Sequence, residues 1–199
     1  GLQYYFAPEF DELGQKIRGA PAYHGQALLT SLPAADARII RFEEQSDHWQ
    51  PRWYLPNWAV FQRRTGGRIA LVAELGTGPR RLVAYNVHLE SRGSEERRLR
   101  QINEVIADAR RYSADTPILL AGDLNTRQAE PPAVGALLKA GFRKALGGEV
   151  TTRRGAALDW VFVRGPVSFH DGAVHGRERA ADHFPLTLRL RFETPDCRR

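Results

Sequence analysis

Short apolar runs separated by turn residues dominate the hydrophobic pattern of the chain, and they predict β-strands. The clearest run, residues 118–121 (ILLA), is bounded by Pro117 and Gly122, which is typical of a buried strand. Residues 68–75 and 81–88 flank a Gly-Thr-Gly-Pro turn and predict an antiparallel hairpin. The other predicted strands are residues 4–6 (ended by Pro8), 26–31, 37–42, 60–63, 158–163 and 184–192, the last with one buried and one solvent-facing side.

Two segments have helical spacing instead. Ser94 can cap a helix whose first turn carries Glu95 and Glu96, where negative charge is favourable. Apolar residues then recur at helical spacing: Leu99, Ile102, Ile106 and Ala109. Arg110 and Arg111 are predicted to form a basic last turn. A shorter helix is predicted over residues 132–140, ended by Gly141. Many strands, a hairpin and interspersed helices indicate mixed sheets rather than a simple parallel α/β fold.

Residues 43–57 are rich in tryptophan, proline and charge, and they predict a loop. Trp49 and Trp53 in this loop are compatible with either a core or a binding rim. Trp58, directly after it, is expected in the core.

The composition is that of an ordinary globular protein with a basic surplus. The 199 residues suit one domain, 42% are hydrophobic, and the formal net charge is +6 with only three lysines among the basic residues. A charge of this size permits a nucleic-acid partner without requiring one. The single cysteine, Cys197, excludes an internal disulfide and a cysteine metal site. No apolar run has the length of a membrane span, so stable membrane insertion is not expected. The protein is expected to be a monomer.

Asp123 and Asn125 follow the strand at 118–121 and are the first candidate site residues. In an extended chain, residues two apart point the same way, so the carboxylate and the carboxamide would face one site. The carboxylate can bind a hard cation or orient a water, and the carboxamide can donate to a phosphate oxygen. The alternative is an Asx-turn that merely ends the strand, and these two residues alone slightly favour that alternative.

Other polar residues also lie at the ends of predicted strands: His88, Asp159, Asp182 and His183. A lone histidine such as His88 is usually structural, and an Asp-His pair in a loop is commonplace. Asp159 interrupts an apolar run, so it needs a cationic or hydrogen-bonding partner. Because sheets gather strand ends at a common edge, these side chains together predict one site.

Four motifs in order resemble the endonuclease/exonuclease/phosphatase superfamily, whose fold is deoxyribonuclease I-like. They are NVHLES at 86–91, AGDLNT at 121–126, LDWVFV at 158–163 and ADHFPL at 181–186. The resemblance implies an α+β fold, a four-layer α/β/β/α sandwich of two mixed sheets. It also implies phosphoester cleavage that depends on Mg²⁺ or Mn²⁺.

The resemblance implies a role for each candidate residue. Asp123 would orient or deprotonate the attacking water, and Asn125 and His88 would hold phosphate oxygens. His183 would face the scissile group, with Asp159 fixing its ring as a carboxylate does in other His–Asp pairs. The metal ion would lie at Asp182 and Asp123.

Two site residues of the family are not found upstream: an asparagine on the first strand and a metal-binding glutamate that follows a glutamine. Glu9 and Glu12 follow an aromatic run rather than ending an apolar one, so neither is identified as that glutamate. The chain contains no methionine and opens at Gly1. An N-terminally incomplete domain over residues 1–199 is therefore expected, and localisation, cytoplasmic or exported, stays open.

Two functions compete. The first is a metal-dependent hydrolase of a phosphoester, a phosphodiesterase or phosphatase of the EC 3.1 class. The second is a non-catalytic module that binds phosphate or nucleic acid on the same scaffold, suggested by the missing glutamate and the arginine-rich charge. For the enzyme, the basic charge favours nucleic acid over phospholipid or inositol phosphate as substrate.

Overall fold

The computed structural model describes residues 1–45, 54–76 and 81–193. These residues form eleven strands and two helices, in the order β1 (Gln3–Ile17), β2 (Ala20–Thr30), β3 (Ala34–Arg41), β4 (Arg64–Gly66), β5 (Ile69–Leu75), β6 (Leu82–His88), α1 (Glu95–Ala109), β7 (Ile118–Asp123), α2 (Pro132–Lys139), β8 (Arg143–Leu146), β9 (Asp159–Arg164), β10 (Val167–Val174) and β11 (Leu186–Phe192).

A six-stranded main sheet has the order β3-β5-β6-β7-β9-β8. Strands β6 and β7 pair in parallel, while the other neighbours pair antiparallel, so the sheet is mixed. The predicted hairpin is confirmed, because β5 and β6 pair antiparallel from Ala70 opposite Val87 to Leu75 opposite Leu82. The predicted buried strand is confirmed as β7, which lies between β6 and β9.

The main sheet is covered on both faces. Buried residues of α1 and α2, including Ile102 and Leu137, pack with Tyr85 and Phe162 of the sheet in the largest hydrophobic cluster. Strands β2-β1-β4 form a second sheet, and Ala7 of β1 packs against Ile69 and Leu71 of β5. The described residues thus build an α+β sandwich of two packed sheets, which confirms the predicted fold class. Both described helices pack on the main sheet, so they supply one helical layer of the predicted four-layer arrangement.

Strands β10 and β11 form a separate two-stranded antiparallel sheet. The alternation predicted for β11 is present, since Leu186, Leu188 and Leu190 are half-buried while the residues between them are exposed. In the part of the chain that the structure describes, no helix is long and apolar enough to cross a membrane.

Helix α1 begins as its sequence predicts. The Ser94 hydroxyl accepts a hydrogen bond from the Arg97 backbone N–H at 3.2 Å, and Glu95 and Glu96 lie in the first turn. The helix ends at Ala109, so Arg110 and Arg111 lie just beyond the last turn rather than in it. Helix α2 ends at Lys139, one residue before its predicted end.

Replacing Ser94 with alanine is expected to lower the free energy of unfolding by about 1 kcal/mol, because one N–H of the first turn loses its acceptor. Urea unfolding followed by tryptophan fluorescence measures the change. Ser31→Ala, at an exposed serine outside the helices, is the control. An equal loss in both variants would contradict the capping role.

Three predictions of local structure are wrong. Pro8 does not end β1: it pairs with Gly25, and the register shifts directly after it, so the missing N–H falls at a β-bulge where proline is tolerated. Residues 60–63 form turns rather than a strand, and the strand begins at Arg64. Trp58 is 64% exposed instead of buried, since it lies in the same turn region and contacts Phe61. Trp49 and Trp53 lie outside the described residues.

Candidate active site

Three candidate residues lie side by side at the same end of three neighbouring strands of the main sheet. His88 on β6 pairs with Asp123 on β7, and Asp123 pairs with Asp159 on β9. Because β6 and β7 are parallel, both contribute their C-terminal ends to this edge. Strand β9 runs antiparallel to β7 and therefore contributes its first residue. The structure thus brings together the strand ends that the sequence predicted to meet.

Gly122 is required where β7 reaches this edge. Its φ of +147° lies in a region that side chains rarely adopt. A Cβ at this position would stand 1.9 Å from the Val87 carbonyl oxygen of the neighbouring strand. The glycine of the Gly-Asp-x-Asn motif therefore allows β6 and β7 to pair up to His88 and Asp123.

Asp123 and Asn125 form the Asx-turn considered above, and it is part of the site. The Asn125 backbone N–H donates to Asp123 Oδ1 at 2.8 Å, and the Asn125 amide Nδ2 donates to the Leu89 carbonyl at 3.0 Å. Asn125 is 4% exposed and has a left-handed φ of +49°. These contacts fix one oxygen of Asp123 and leave Oδ2 for other partners, while contact of Asn125 with a phosphate stays a prediction.

His183 and Asp159 form the predicted pair. His183 Nδ1 lies 2.7 Å from Asp159 Oδ2, which supplies the partner that a half-buried acid needs. The hydroxyl of Thr151, which is fully buried, accepts from the backbone N–H of Asp159 and of Leu158, both at 3.1 Å. The Thr151 carbonyl also accepts from Phe184 N at 2.7 Å. Thr151 thus joins the loop of His183 to the start of β9.

Asp123 Oδ2 lies between two imidazole rings. His88 Nε2 is 3.7 Å away and His183 Nε2 is 3.9 Å away. These distances exceed direct hydrogen bonds, so the three groups do not satisfy one another directly. The arrangement offers one proton acceptor flanked by two potential donors, which is the requirement for general acid–base chemistry on a phosphate.

The pKa values of Asp123 and His183 are both raised above their ordinary values. Burial raises the pKa of the Asp123 carboxyl, and the Asp159 charge adds to this rise against the opposing effects of the histidines and the Asn125 N–H. For His183, burial disfavours the charged ring, but the hydrogen bond and charge of Asp159 outweigh it and raise the pKa. Asp123 is therefore a stronger base, and His183 holds a proton more firmly, than in an exposed setting.

Glu9 was not predicted to be a site residue. It contacts Nδ1 of His88, whereas Nε2 of the same ring faces Asp123. The Glu9 carboxylate is fully buried and contacts Arg68 Nη1 at 2.7 Å, Gln26 Nε2 at 2.9 Å and His88 Nδ1 at 3.2 Å. Gln26 also donates to the Ile69 carbonyl at 2.8 Å. This buried network connects the second sheet to the His88 side of the site.

A signal for Glu9 exists in the sequence. Continuing the two-residue period of β1 through Pro8 places Tyr5, Ala7 and Glu9 on one face, and the structure buries Ala7 and Glu9 there. A strand that is predicted to end at Pro8 does not include Glu9, so the burial of Glu9 is not predicted. Arg68 and Thr151 carry no comparable local pattern, because their partners are distant in the chain.

The described donors do not make a complete metal centre by themselves. Within residues 1–45, 54–76 and 81–193, no group of three or more His, Cys, Asp or Glu side chains is arranged to hold a metal ion. Glu9 is bound to Arg68, and Asp159 is bound to His183. Asp182 is exposed at the rim of a cavity that His183 also lines. Metal binding by Asp123 and Asp182 stays a prediction.

A two-sheet sandwich with Asp and His residues gathered at one sheet edge defines a deoxyribonuclease I-like protein, and the sequence comparison agrees. The profile described as "Endonuclease/Exonuclease/phosphatase family" matches residues 2–183. The chain belongs to this family, whose members are hydrolases acting on phosphoesters and generally use divalent metal ions. No match was found among curated proteins.

Solved structures share the fold at low sequence identity. The endonuclease/exonuclease/phosphatase from Beutenbergia cavernae DSM 12333 is 18% identical with a TM-score of 0.65, and the match covers 96% of this chain but only 53% of that protein. The human Nocturnin catalytic domain with bound sulfate is 16% identical with a TM-score of 0.69, over 96% and 73% of the two chains. D. rerio TDP2 complexed with single-strand DNA product is 18% identical with a TM-score of 0.63, over 94% and 77%.

Proposed function

We propose that this protein is a metal-dependent hydrolase that cleaves a phosphoester bond, of the phosphodiesterase or nuclease type. The observation that carries the proposal is the position of Asp123 Oδ2, 3.7 Å from His88 Nε2 and 3.9 Å from His183 Nε2. A phosphate oxygen and a water among these groups would meet a base and two donors at once.

In the proposed reaction, Asp123 Oδ2 orients the attacking water and accepts its proton. The raised pKa of Asp123 supports this role, because a carboxylate that binds a proton more readily is a better general base near neutral pH. The Asn125 N–H on Oδ1 fixes the carboxylate, so Oδ2 is presented in one orientation.

His183 is proposed to stabilise the negative charge that grows on the phosphoryl oxygens. Its Nδ1 is bound to Asp159, so Nε2 is the ring nitrogen that faces Asp123 and a substrate. His88 and Asn125 are proposed to contact the remaining phosphate oxygens. Donors fixed before the substrate arrives lower the reorganisation needed in the transition state.

Mg²⁺ or Mn²⁺ is the proposed cofactor, with Asp123 and Asp182 as candidate ligands. Mg²⁺ takes few protein carboxylates and keeps waters and substrate oxygens as ligands. A bound divalent ion supplies charge stabilisation for phosphoryl oxygens.

Hydrolysis of bis-p-nitrophenyl phosphate is expected in Mg²⁺ or Mn²⁺ and is expected to be lost on EDTA treatment, because the growing phosphoryl charge then lacks its cation. Asp123→Ala is expected to lower kcat by about 10²–10⁴-fold through loss of the base. Release of p-nitrophenolate measures both effects. Asp115→Asn, an exposed acid away from the sheet edge, is the control. Activity that survives both EDTA and Asp123→Ala would refute the proposal.

The second candidate function is a non-catalytic module that binds phosphate or nucleic acid. It is favoured by one observation: no cluster of three metal-ligating side chains occurs in the described ranges. Binding would then weaken steeply with salt and persist in EDTA, because arginine–phosphate contacts need no metal ion. Turnover of any phosphoester by the purified protein, removed by Asp123→Ala, decides against it.

Nucleic acid is the proposed substrate class, ahead of phospholipid or inositol phosphate. The net charge of +6 and the single-strand DNA product bound by the structural neighbour TDP2 support this order. A panel of single-stranded DNA, abasic duplex, 5′-tyrosyl DNA, sphingomyelin and inositol phosphates separates these classes.

A further inference from the structure

A cavity of about 710 Å³ opens beside His183, large enough for a group of small-molecule size. Its walls include the segment after β7, residues 126–129, and the segment before β9, Thr152 and residues 154–158. Gly148, Trp160, Asp182 and His183 also line it. The cavity is therefore continuous with the proposed reaction site.

The wall that carries Arg154 is fixed by backbone contacts. Gly155 N donates to the Thr152 carbonyl at 3.1 Å in a turn that places Arg154 at its tip, and the Thr152 hydroxyl accepts from Ala156 N at 3.0 Å. Thr152 also forms a β-bridge with His183, and Arg153 N donates to the Asp182 carbonyl at 2.9 Å. This turn and the His183 segment thus form one connected unit.

The wall that carries Arg127 is fixed to helix α1. The Arg127 backbone N–H donates to Glu95 Oε1 at 3.0 Å, and Asn125 just before it is buried against Leu89. Both arginines are exposed and line the same cavity. Their positions are set by the surrounding backbone, so little ordering of the main chain is needed when a ligand binds.

The charged donors of the cavity lining are Arg127 and Arg154. An arginine guanidinium offers five donors and no acceptor. A phosphate, with several acceptor oxygens and negative charge, suits these two side chains better than a neutral or cationic group.

We propose that this cavity binds a second phosphate of the substrate, next to the scissile one, through Arg127 and Arg154. This inference rests on the proposed hydrolase function and narrows its substrate to a phosphoester that carries a neighbouring phosphate. An oligonucleotide and a multiply phosphorylated small molecule both have this chemistry. A substrate with a single phosphate reaches the site at Asp123 but leaves the two arginines without a partner.

The test compares pairs of substrates that differ only in the second phosphate. One pair is dithymidine monophosphate with and without a 5′-phosphate, and the other is myo-inositol bisphosphate and monophosphate. For the pair that matches the natural substrate, the second phosphate is expected to raise kcat/KM of the wild type at least tenfold. Arg127→Gln and Arg154→Gln are each expected to reduce that ratio about fivefold to tenfold, since each removes a charged donor. The double variant is expected to bring it close to one.

Arg191→Gln is the matched control, because Arg191 is exposed on β11 and does not line the cavity. A wild-type protein without preference for the second phosphate, or variants that keep the preference, would overturn the inference and leave the hydrolase function intact. A preference in only one of the two pairs identifies the source of the phosphate and supports the inference.

If the protein hydrolyses none of these substrates, that result counts against the hydrolase function itself. A binding measurement then tests the second-phosphate site separately. Fluorescence anisotropy of labelled octathymidylate is measured in EDTA at several salt concentrations. The double variant is expected to bind at least tenfold more weakly and with a less steep salt dependence, because two arginine charges no longer contact phosphate. Equal binding by wild type and double variant would overturn the inference without reference to turnover.

Discussion

Replacing His183 with alanine is expected to lower kcat for phosphoester hydrolysis by about 10³-fold. In the proposed reaction this ring carries the positive charge opposite the phosphoryl oxygens, and alanine supplies neither charge nor donor. The side chain is 34% exposed, so its removal creates no buried cavity and the variant is expected to fold. Steady-state kinetics on bis-p-nitrophenyl phosphate measure the loss, and circular dichroism checks the fold.

Asp159→Asn is expected to lower kcat by about 10²-fold, because an amide at 2.7 Å from Nδ1 no longer fixes the tautomer or supports the charge of the ring. Asp159 is a positioning residue, since its contact is with His183. Adding Asp159→Asn to His183→Ala is therefore expected to cause no further loss. Full additivity of the two effects would show that Asp159 acts independently of His183.

The chain contains a matched control for this pair. His170 Nδ1 lies 3.0 Å from Asp171 Oδ2 on β10, but both side chains are more than half exposed and far from the Asp123 register. His170→Ala and Asp171→Asn are expected to leave kcat within about twofold of the wild type, as for other exposed pairs. Comparable losses at both His–Asp pairs would contradict the proposed role of His183.

The part of the site that lies on the main sheet could be predicted because its signals are local. Each of His88, Asp123 and Asp159 ends or begins a short apolar run, and sheets collect such ends at one edge. The helix cap at Ser94 is likewise encoded within a few residues. The same local rules gave the order and type of β5, β6, α1 and β7.

The burial of Glu9 has a local signal, but the contacts that join the second sheet to the site could not be predicted by local rules. Glu9 is 59 residues from its partner Arg68 and 17 residues from Gln26, so only the packing of the sheets brings them together. Pro8 usually ends a strand, but here its missing N–H coincides with a bulge that depends on the pairing with β2. The Thr151 contacts with both Asp159 and Phe184 are also tertiary.

Arg68→Ala is expected to reduce the free energy of unfolding by about 3–5 kcal/mol, the usual cost of removing one partner of a buried ion pair. The Glu9 side chain is fully buried and the Arg68 side chain is 7% exposed, so the variant leaves the carboxylate buried without its guanidinium partner. Urea unfolding at pH 7 measures the loss. Adding Glu9→Gln to this variant is expected to restore part of the stability, because it removes the uncompensated charge.

Arg111→Ala is the control for this variant. Arg111 pairs with Asp108 at 3.4 Å, but its side chain is 74% exposed, and such pairs contribute about 0–1 kcal/mol. An equally small effect of Arg68→Ala would show that the buried pair does not stabilise the fold.

The pH dependence of unfolding tests whether Glu9 is charged in the folded protein. Burial alone would raise the pKa of Glu9, but the hydrogen bonds and charges of His88, Arg68 and Gln26 outweigh burial and hold it below the ordinary value of 4.5. A carboxyl with a lowered folded-state pKa contributes stability above its unfolded-state pKa and loses it as the pH falls through the folded-state value. The wild type is therefore expected to lose stability below about pH 4.5, with a shallower loss in Glu9→Gln, because glutamine does not titrate. Identical slopes below that pH would contradict a lowered folded-state pKa of Glu9.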